Sequence, residues 1–260
     1  TSNPMTSGSL GLGFTINKGV QVSAAQLPNR NEKDKVLFNN KSINFPTVLS
    51  VIKKLAKKPV LVKIRTDLPL GSGFGVSGAS ALALSYALNK LFGLNKTKKE
   101  LAMVAHSAEV ENLTGLGDVT NQYLGGFLVK YESSYKFKAK RLPFAGKMIH
   151  YRVFSALKTK SIIQDKMRKD QINKIGLQKL VQLKKTKKKN ILLPHIIDLS
   201  YEFADESGLL QDQRVNNAID SLRTKGGHAS MIMLGNSVFS DTPFPGCKKA
   251  IISNRAAHLL

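Results

Sequence analysis

A glycine-rich loop between a strand-like and a helix-like segment is the feature of this chain best suited to chemistry. Residues 67–81 hold glycines at 71, 73, 75 and 78 after Pro69. Such a loop can bring backbone N–H groups close to an anion, and the N-terminus of the following helix adds partial positive charge. We interpret the loop as a phosphate cradle. The alternative is a tight strand-to-helix turn with close packing, for which glycine is also suitable.

Two well-known phosphate motifs do not account for this loop. Residues 73–78 fit G-x-G-x-x-G, but the dinucleotide fingerprint also requires an acidic residue about 20 positions later. Residues 96–100 stand there instead, and they resemble the start of a helix. The Walker pattern fails because no Lys-Ser or Lys-Thr closes the glycine run. A phosphate loop of another kind is therefore needed.

Two carboxylates downstream are candidate functional residues. Glu109 lies near the C-terminal end of a predicted helix, where the helix dipole disfavours negative charge. Such a local conflict is expected at functional positions. Asp118 follows Gly115 and Gly117 in an otherwise uncharged stretch, which indicates a placed carboxylate. The alternatives are a surface glutamate at 109 and an aspartate N-cap of a short helix starting at Val119.

The beginning of the chain offers further polar groups. Residues 1–14 form a polar, glycine-rich loop, and residues 14–22 alternate weakly like a strand. Its serines and N–H groups suit a substrate carboxylate or hydroxyl, and the candidates are Ser7, Gly8, Ser9 and Gly11. The alternative is a disordered tail.

The elements that must position these groups follow from residue periodicity. Residues 59–64 alternate like a strand before the loop, and residues 77–92 have helical spacing after it. Residues 97–100 form a Thr-x-x-Glu capping box, which begins the helix that carries Glu109. Residues 47–58 predict an amphipathic helix.

The second half of the chain continues the alternation of strands and helices. Residues 228–235 follow a double glycine and are interpreted as a glycine-rich motif, with a plain core strand as the alternative. The other predictions are strands at 127–131 and 148–156, a hairpin within 131–150, helices at 164–183, 192–210 and 211–225, and a solvated loop at 184–190.

Composition limits the class of protein. The chain has 260 residues, 42% of them hydrophobic, which suffices for one large or two small domains. Its formal charge of +23 invites a nucleic-acid interpretation. The lysines are spread over most of the chain, however, and no nucleic-acid module is recognisable. We interpret them as a solvated surface that favours anionic substrates such as ATP and carboxylates.

The single cysteine, Cys247, suits a reducing compartment. The chain has no run of 18 apolar residues and no visible signal peptide, so a cytoplasmic location without a membrane span is expected.

The glycine loop resembles the ATP loop of the GHMP kinases, Pro-x-x-x-Gly-Leu-Gly-Ser-Ser-Ala-Ala. Pro69, Gly73 and Gly75 match directly, and Phe74 replaces the usual leucine. Ser77 falls on the second serine. Val76 departs from the first serine, which removes one hydroxyl donor from the loop.

The resemblance extends over most of the chain and looks like the archaeal pantoate kinases, GHMP enzymes that phosphorylate pantoate on the archaeal route to coenzyme A. The most telling segments are residues 114–119 and 229–235. The full set of matching segments is residues 7–13, 69–81, 105–126, 158–163 and 226–239.

The resemblance implies an α/β (α+β) fold in two parts. Residues 1–145 would form the N-terminal ATP-binding half and residues 146–260 a ferredoxin-like C-terminal half. Family members begin with a strand that carries a Pro-x-His-x-x-Gly-like motif, and this sequence lacks it. The first strand is therefore expected to be missing.

The resemblance also implies residue roles. Ser77 and Glu109 match positions that hold Mg²⁺, and Asp118 matches the catalytic carboxylate that receives or orients the substrate hydroxyl proton. It also allows a homodimer. The residues implied in ATP binding are Pro69, Gly71, Ser72, Gly73, Phe74, Gly75, Val76, Ser77 and Gly78.

Two other functions stay open at this point. The same fold could phosphorylate another small hydroxy acid or a sugar. A basic nucleic-acid-binding protein with a degenerate ATP loop is the alternative from another class.

Overall fold

A computed structural model describes residues 3–4, 6–157 and 165–260. They form two compact units. The first comprises residues 1–68, 75–142 and 253–260, and the second comprises residues 69–74 and 143–252. The predicted α/β class and two-part organisation are confirmed. The glycine loop is shared, since residues 69–74 belong to the second unit and residues from 75 onwards to the first.

The strands of the first unit form two sheets. They are β1 (Gly11–Phe14), β2 (Gln21–Gln26), β3 (Lys35–Phe38), β4 (Lys41–Ser42), β5 (Val60–Arg65), β6 (Phe127–Lys130) and β7 (Lys140–Leu142). One sheet has the order β2-β5-β3-β4, and the other has the order β1-β6-β7. The central strand β6 is antiparallel to both of its neighbours, so its two edges are hydrogen-bonded.

Four helices complete the first unit: α1 (Pro46–Leu55), α2 (Val76–Phe92), α3 (Lys98–Asn112) and α4 (Asp118–Leu124). The apolar helix α2 packs against the other three. It begins after Gly75 and ends at Gly93, and both glycines are left-handed, with φ of 63° and 56°. Because glycine adopts this conformation without a steric penalty, the two glycines set both ends of the helix.

The predicted capping box begins α3. The Glu100 N–H donates to Thr97 Oγ1 at 3.2 Å, and the Thr97 N–H donates to the Glu100 carboxylate at 2.8 Å. Two backbone donors that the helix leaves unsatisfied are thereby paired. The position of α3 therefore has a strong local signal in the sequence.

The second unit is built on one antiparallel sheet. Its strands are β8 (Met148–Ser155), β9 (Ala229–Met231), β10 (Asn236–Ser240) and β11 (Lys248–Ile251), in the order β11-β8-β10-β9. Its helices are α5 (Lys166–Lys185), α6 (Leu193–Glu206) and α7 (Gln213–Arg223). Val215, Ile219 and Leu222 of α7 pack with Ala229 and Val238 in the core of this unit.

Several predicted boundaries were wrong. No single strand covers residues 14–22, because exposed residues 17–19 separate β1 from β2. The helix predicted at 47–58 ends at Leu55, where Ala56 is extended. The helices predicted at 192–210 and 211–225 are shorter, and the lysine-rich run begins inside α5 and ends in a 3₁₀ turn, Lys188–Asn190. Residues 158–163, part of the resemblance, lie outside the described residues.

The hairpin predicted within residues 131–150 is wrong, because β7 lies in that range but pairs with β6, which ends at Lys130. Among the described residues, no helix combines the length and the apolar character that crossing a bilayer requires.

Candidate active site

Glu109 is buried near the end of α3, with 1% of its surface exposed. Ser77 Oγ and Thr114 Oγ1 each donate a 2.6 Å hydrogen bond to its Oε1. Its other oxygen, Oε2, is buried and has no hydrogen-bond partner among the described residues. The alternative of a surface glutamate is therefore wrong. The structure brings Ser77 and Glu109, the two predicted metal ligands, into direct contact.

Burial raises the pKa of the Glu109 carboxyl to about 7, because desolvation penalises the charged form. The hydroxyls of Ser77 and Thr114 oppose this rise, and the negative charge of Asp118 adds to it. A buried carboxylate with an unpartnered oxygen is costly unless a proton or a cation satisfies it.

The oxygen atoms around Glu109 fit a hard cation such as Mg²⁺. Mg²⁺ prefers oxygen ligands and is commonly held by one or two carboxylates together with substrate phosphates. The described residues contain no group of three or more His, Cys, Asp or Glu side chains placed to hold a metal ion. A metal ion here would therefore have few protein ligands, as is usual for a Mg²⁺ ion that also binds the phosphates of a substrate.

Asp118 is the first residue of α4, and Gly117 is the N-cap residue of that helix. No side chain caps α4, so the interpretation of Asp118 as an N-cap is wrong. Asp118 lies beside the beginning of α2: a Cβ added at Gly75 would be 2.9 Å from Asp118 Cγ. Burial raises the pKa of Asp118, and the Lys130 ammonium opposes that rise.

Gly75 and Gly78 keep the side chains of Glu109 and Asp118 close to the first turn of α2. A Cβ at Gly78 would lie 3.3 Å from both Asp118 Cβ and Glu109 Oε2. The Gln122 amide donates to Gly75 O at 2.8 Å, which ties α4 to the same turn. Since the first N–H groups of a helix lack intrahelical acceptors, this turn combines free donors with two nearby carboxylates.

Lys130 is a site residue that the sequence interpretation missed. It ends β6 and is only 2% exposed, and its Nζ donates to Asn121 Oδ1 at 2.7 Å. Burial lowers the pKa of Lys130 to about 8, and attraction by Asp118 opposes that fall. A lysine at the end of an apolar strand usually reaches solvent. Its burial follows from the central place of β6, which the sequence pattern did not reveal.

The described part of the N-terminal loop is packed, so the alternative of a disordered tail is wrong for it. His106 Nε2 lies 2.9 Å from Ser7 O. The Ser9 N–H donates to Ser134 Oγ at 2.9 Å, and the Ser134 N–H donates to Ser9 O at 3.1 Å. A Cβ at Gly8 would collide with Ser133 and Ser134.

This packing brings Ser9 beside Gly117, the residue before Asp118. A Cβ at Gly117 would collide with Ser9 Oγ and would lie 3.3 Å from Lys130 Nζ. Gly11 begins β1 directly opposite Lys130. Ser9 and Lys130 thus lie beside the N-terminus of α4, and Gly11 is paired with Lys130. Ser7 and Gly8 belong to the preceding loop.

In the second unit, residues 69–74 pack against the glycine-rich motif of residues 228–235. Ser237 Oγ donates to Ser72 O at 2.9 Å, and Ser72 Oγ donates to Pro69 O at 2.6 Å. A Cβ at Gly235 would collide with the Ser72 backbone, and one at Gly73 would lie 2.7 Å from Ile232 Cγ2. Close packing therefore explains why glycine is needed at Gly73 in the loop and at Gly235 opposite it.

The remaining loop residues have defined contacts in the second unit. The Leu157 N–H donates to Gly71 O at 2.8 Å, and the Phe74 ring meets the edge of Tyr151 with centroids 4.9 Å apart. Gly71 and Gly73 have φ of 71° and 85°, a conformation that disfavours other residues.

Comparisons with known proteins agree with this architecture. Residues 46–126 match the family described as GHMP kinases N terminal domain. A solved structure described as a phosphotransferase related to the CoA biosynthesis pathway superposes with a TM-score of 0.82 at 25% identity, over 98% of this chain and 91% of that one.

Curated relatives narrow the family. The chain is 34% identical to the pantoate kinase of Methanocaldococcus jannaschii, over 92% of this chain and 85% of that protein. It is 30% identical to the pantoate kinase of Thermococcus kodakarensis, over 91% of this chain and 80% of that protein. The chain therefore belongs to the pantoate kinase family of the GHMP kinases.

Gly75→Ala should weaken ATP binding about tenfold or more, which corresponds to ~1.4 kcal/mol. The added Cβ would strain a left-handed residue and collide with Asp118 and Gln122 beside the predicted cradle. Nucleotide titration calorimetry measures the effect.

Gly93→Ala is the matched control, because Gly93 is also left-handed and ends the same helix, but a Cβ added there would have no neighbour within 4 Å among the described residues. Equal nucleotide affinities in all three folded proteins would remove Gly75 from the nucleotide site.

Without divalent cations, the stability of the wild-type protein should fall relative to Glu109→Gln as pH rises from 5 to 8. The pKa of Glu109 is near 7 in the folded state and 4.5 in the unfolded reference, so the folded state binds the proton more tightly. That contribution is full below pH 4.5, is lost as pH rises through 7, and is about 3 kcal/mol at most.

Thermal unfolding of the two proteins across this pH range measures the difference. All residues other than Glu109 are the same in the two proteins, so the comparison isolates this carboxyl group. Parallel curves of Tm against pH would show that Glu109 carries no raised pKa.

Proposed function

We propose that this protein transfers the terminal phosphoryl group of ATP to a hydroxyl group of pantoate, forming 4-phosphopantoate for archaeal coenzyme A synthesis. The observation that carries the proposal is the convergence of Glu109 and Asp118 on the first turn of α2 at Gly75 and Gly78. Pantoate is taken as the acceptor because three curated relatives that each match nine-tenths of the chain are pantoate kinases.

Phosphoryl transfer needs alignment and neutralisation of charge more than covalent work by the protein. In this proposal the N–H groups of residues 75–78, at the start of α2, bind the ATP phosphates. Ser77 and Glu109 would hold Mg²⁺, which when bound neutralises charge on the phosphates. The buried, unpartnered Oε2 of Glu109 is the atom that supports this role.

Asp118 serves the acceptor. Its carboxylate orients the substrate hydroxyl and accepts its proton as the new O–P bond forms. The bond between the terminal phosphorus and the bridging oxygen breaks, and ADP leaves with that electron pair. Ser9 and Gly11, supported by Ser7 and Gly8, bind the polar groups of the acceptor next to Asp118.

Turnover of Mg-ATP with pantoate, homoserine, mevalonate and shikimate tests the proposed acceptor. Pantoate should have the highest kcat/KM, by about tenfold or more, or ~1.4 kcal/mol of discrimination. Removing divalent cations with a chelator should abolish turnover. A higher kcat/KM with another hydroxy acid would overturn the choice of pantoate and leave the kinase assignment in place.

Asp118→Asn should lower kcat about 100-fold or more, since general bases contribute ~10²- to 10⁴-fold. Asparagine keeps the shape of the side chain but removes its charge and basicity. ATP affinity should change little, because Asp118 serves the acceptor rather than the nucleotide. Steady-state rates with pantoate measure this, and a folded variant that retained most of its kcat would exclude Asp118 from the chemistry.

A further inference from the structure

Lys130 is an unusual residue for a chain whose lysines are mostly solvated. Its side chain is 2% exposed at the end of the central strand β6, after three buried apolar residues. Removing an ammonium from water costs several kcal/mol unless other groups compensate. Because the buried ammonium of Lys130 carries this desolvation cost, we expect a functional reason for a lysine at the end of β6.

The hydrogen bonds of Lys130 are directed at both sides of Asp118. Its Nζ donates to Asn121 Oδ1 at 2.7 Å, and Gly117 O lies at 3.5 Å. Gly117 precedes Asp118, and Asn121 lies one helical turn after it. The ammonium therefore spans the first turn of α4, where the backbone sets the direction of the Asp118 side chain.

The charges around Asp118 make this cation important. Burial disfavours the charged form of Asp118, and Lys130 on β6 attracts it. Gln122 of α4, which also lies beside Gly75, is neutral. With Lys130 removed, burial would oppose a negative charge on Asp118 without compensation from that ammonium.

We propose that Lys130 is a positioning residue, whose buried ammonium holds the first turn of α4 and keeps Asp118 charged and aimed at the acceptor hydroxyl. This inference rests on the proposed function, since it assigns Lys130 a role through Asp118. Removal of the Lys130 ammonium alone would leave Asp118 without its cation and Asn121 Oδ1 without its donor, because the partners of a buried charge stay behind when that charge is replaced.

The test is a double-mutant cycle on the whole chain, with Lys130→Met, Asp118→Asn and the double variant. Methionine has a similar length and no charge. We expect Lys130→Met to lower kcat about tenfold or more, a part of the ~10²- to 10⁴-fold effect of a general base. The KM for ATP should be unchanged, and Tm should fall, because the variant leaves the buried Asp118 without its cation.

In the Asp118→Asn background, the same Lys130→Met change should lower kcat by less than about twofold, because residues that act through one group are not additive. Lys140→Met is the matched control. Lys140 lies on the neighbouring strand β7 but is exposed, and its replacement should leave kcat and Tm at wild-type values.

Two results would overturn the proposal. A KM for ATP that rises as kcat falls in Lys130→Met would make the lysine a scaffold residue. Losses in kcat that multiply in the double variant, with a raised KM for pantoate, would mean that Lys130 contacts the substrate directly.

The wild-type rates separate this inference from the proposed function. If the wild type is active with pantoate but the effects of Lys130→Met and Asp118→Asn on kcat are independent, only the role of Lys130 is rejected. Wild-type activity with another acceptor rejects pantoate, and the cycle measured with that acceptor still decides the role of Lys130. If the wild type uses no acceptor, both proposals fail.

Discussion

The burial of charge at one place constrains the rest of the first unit. Glu109 lies inside the protein with two hydroxyl donors on one oxygen and, in the described part of the chain, none on the other. Because one donor comes from the start of α2 and the other follows the end of α3, the carboxylate connects these two helices. A core of this size could have buried an apolar residue at far lower cost, so the arrangement is best explained by chemistry.

Glycine makes the proximity of charged groups and backbone possible. At Gly75 and Gly78 a side chain would occupy the space beside Asp118 and Glu109, and at Gly117 it would displace Ser9. In the second unit, Gly73 and Gly235 allow two backbone segments to touch. Phosphate binding and close packing were alternatives at the level of sequence. The structure shows close packing at several of these glycines, and close packing is compatible with an anion site at the start of α2.

The features that could be predicted from the sequence are those with local causes. The capping box of α3, the helix after the glycine loop and the double-glycine turn before β9 each depend on residues a few positions apart. The strand predicted across residues 14–22 was wrong because weak alternation there spans two strands and an exposed turn. The match to the GHMP kinases also came from short motifs, and it covered most of the chain.

The sequence by itself determined the class of fold, the family and the two carboxylates worth considering, because these are recorded in local patterns of residue type. Tertiary structure alone decided that Glu109 is buried, that Asp118 does not cap its helix, and that Lys130 is enclosed. These properties depend on which strand is central and which helices meet, and such contacts join residues far apart in the chain. Burial sets the cost and the pKa of a charge, so the electrostatics of the candidate site could be obtained only from the folded protein.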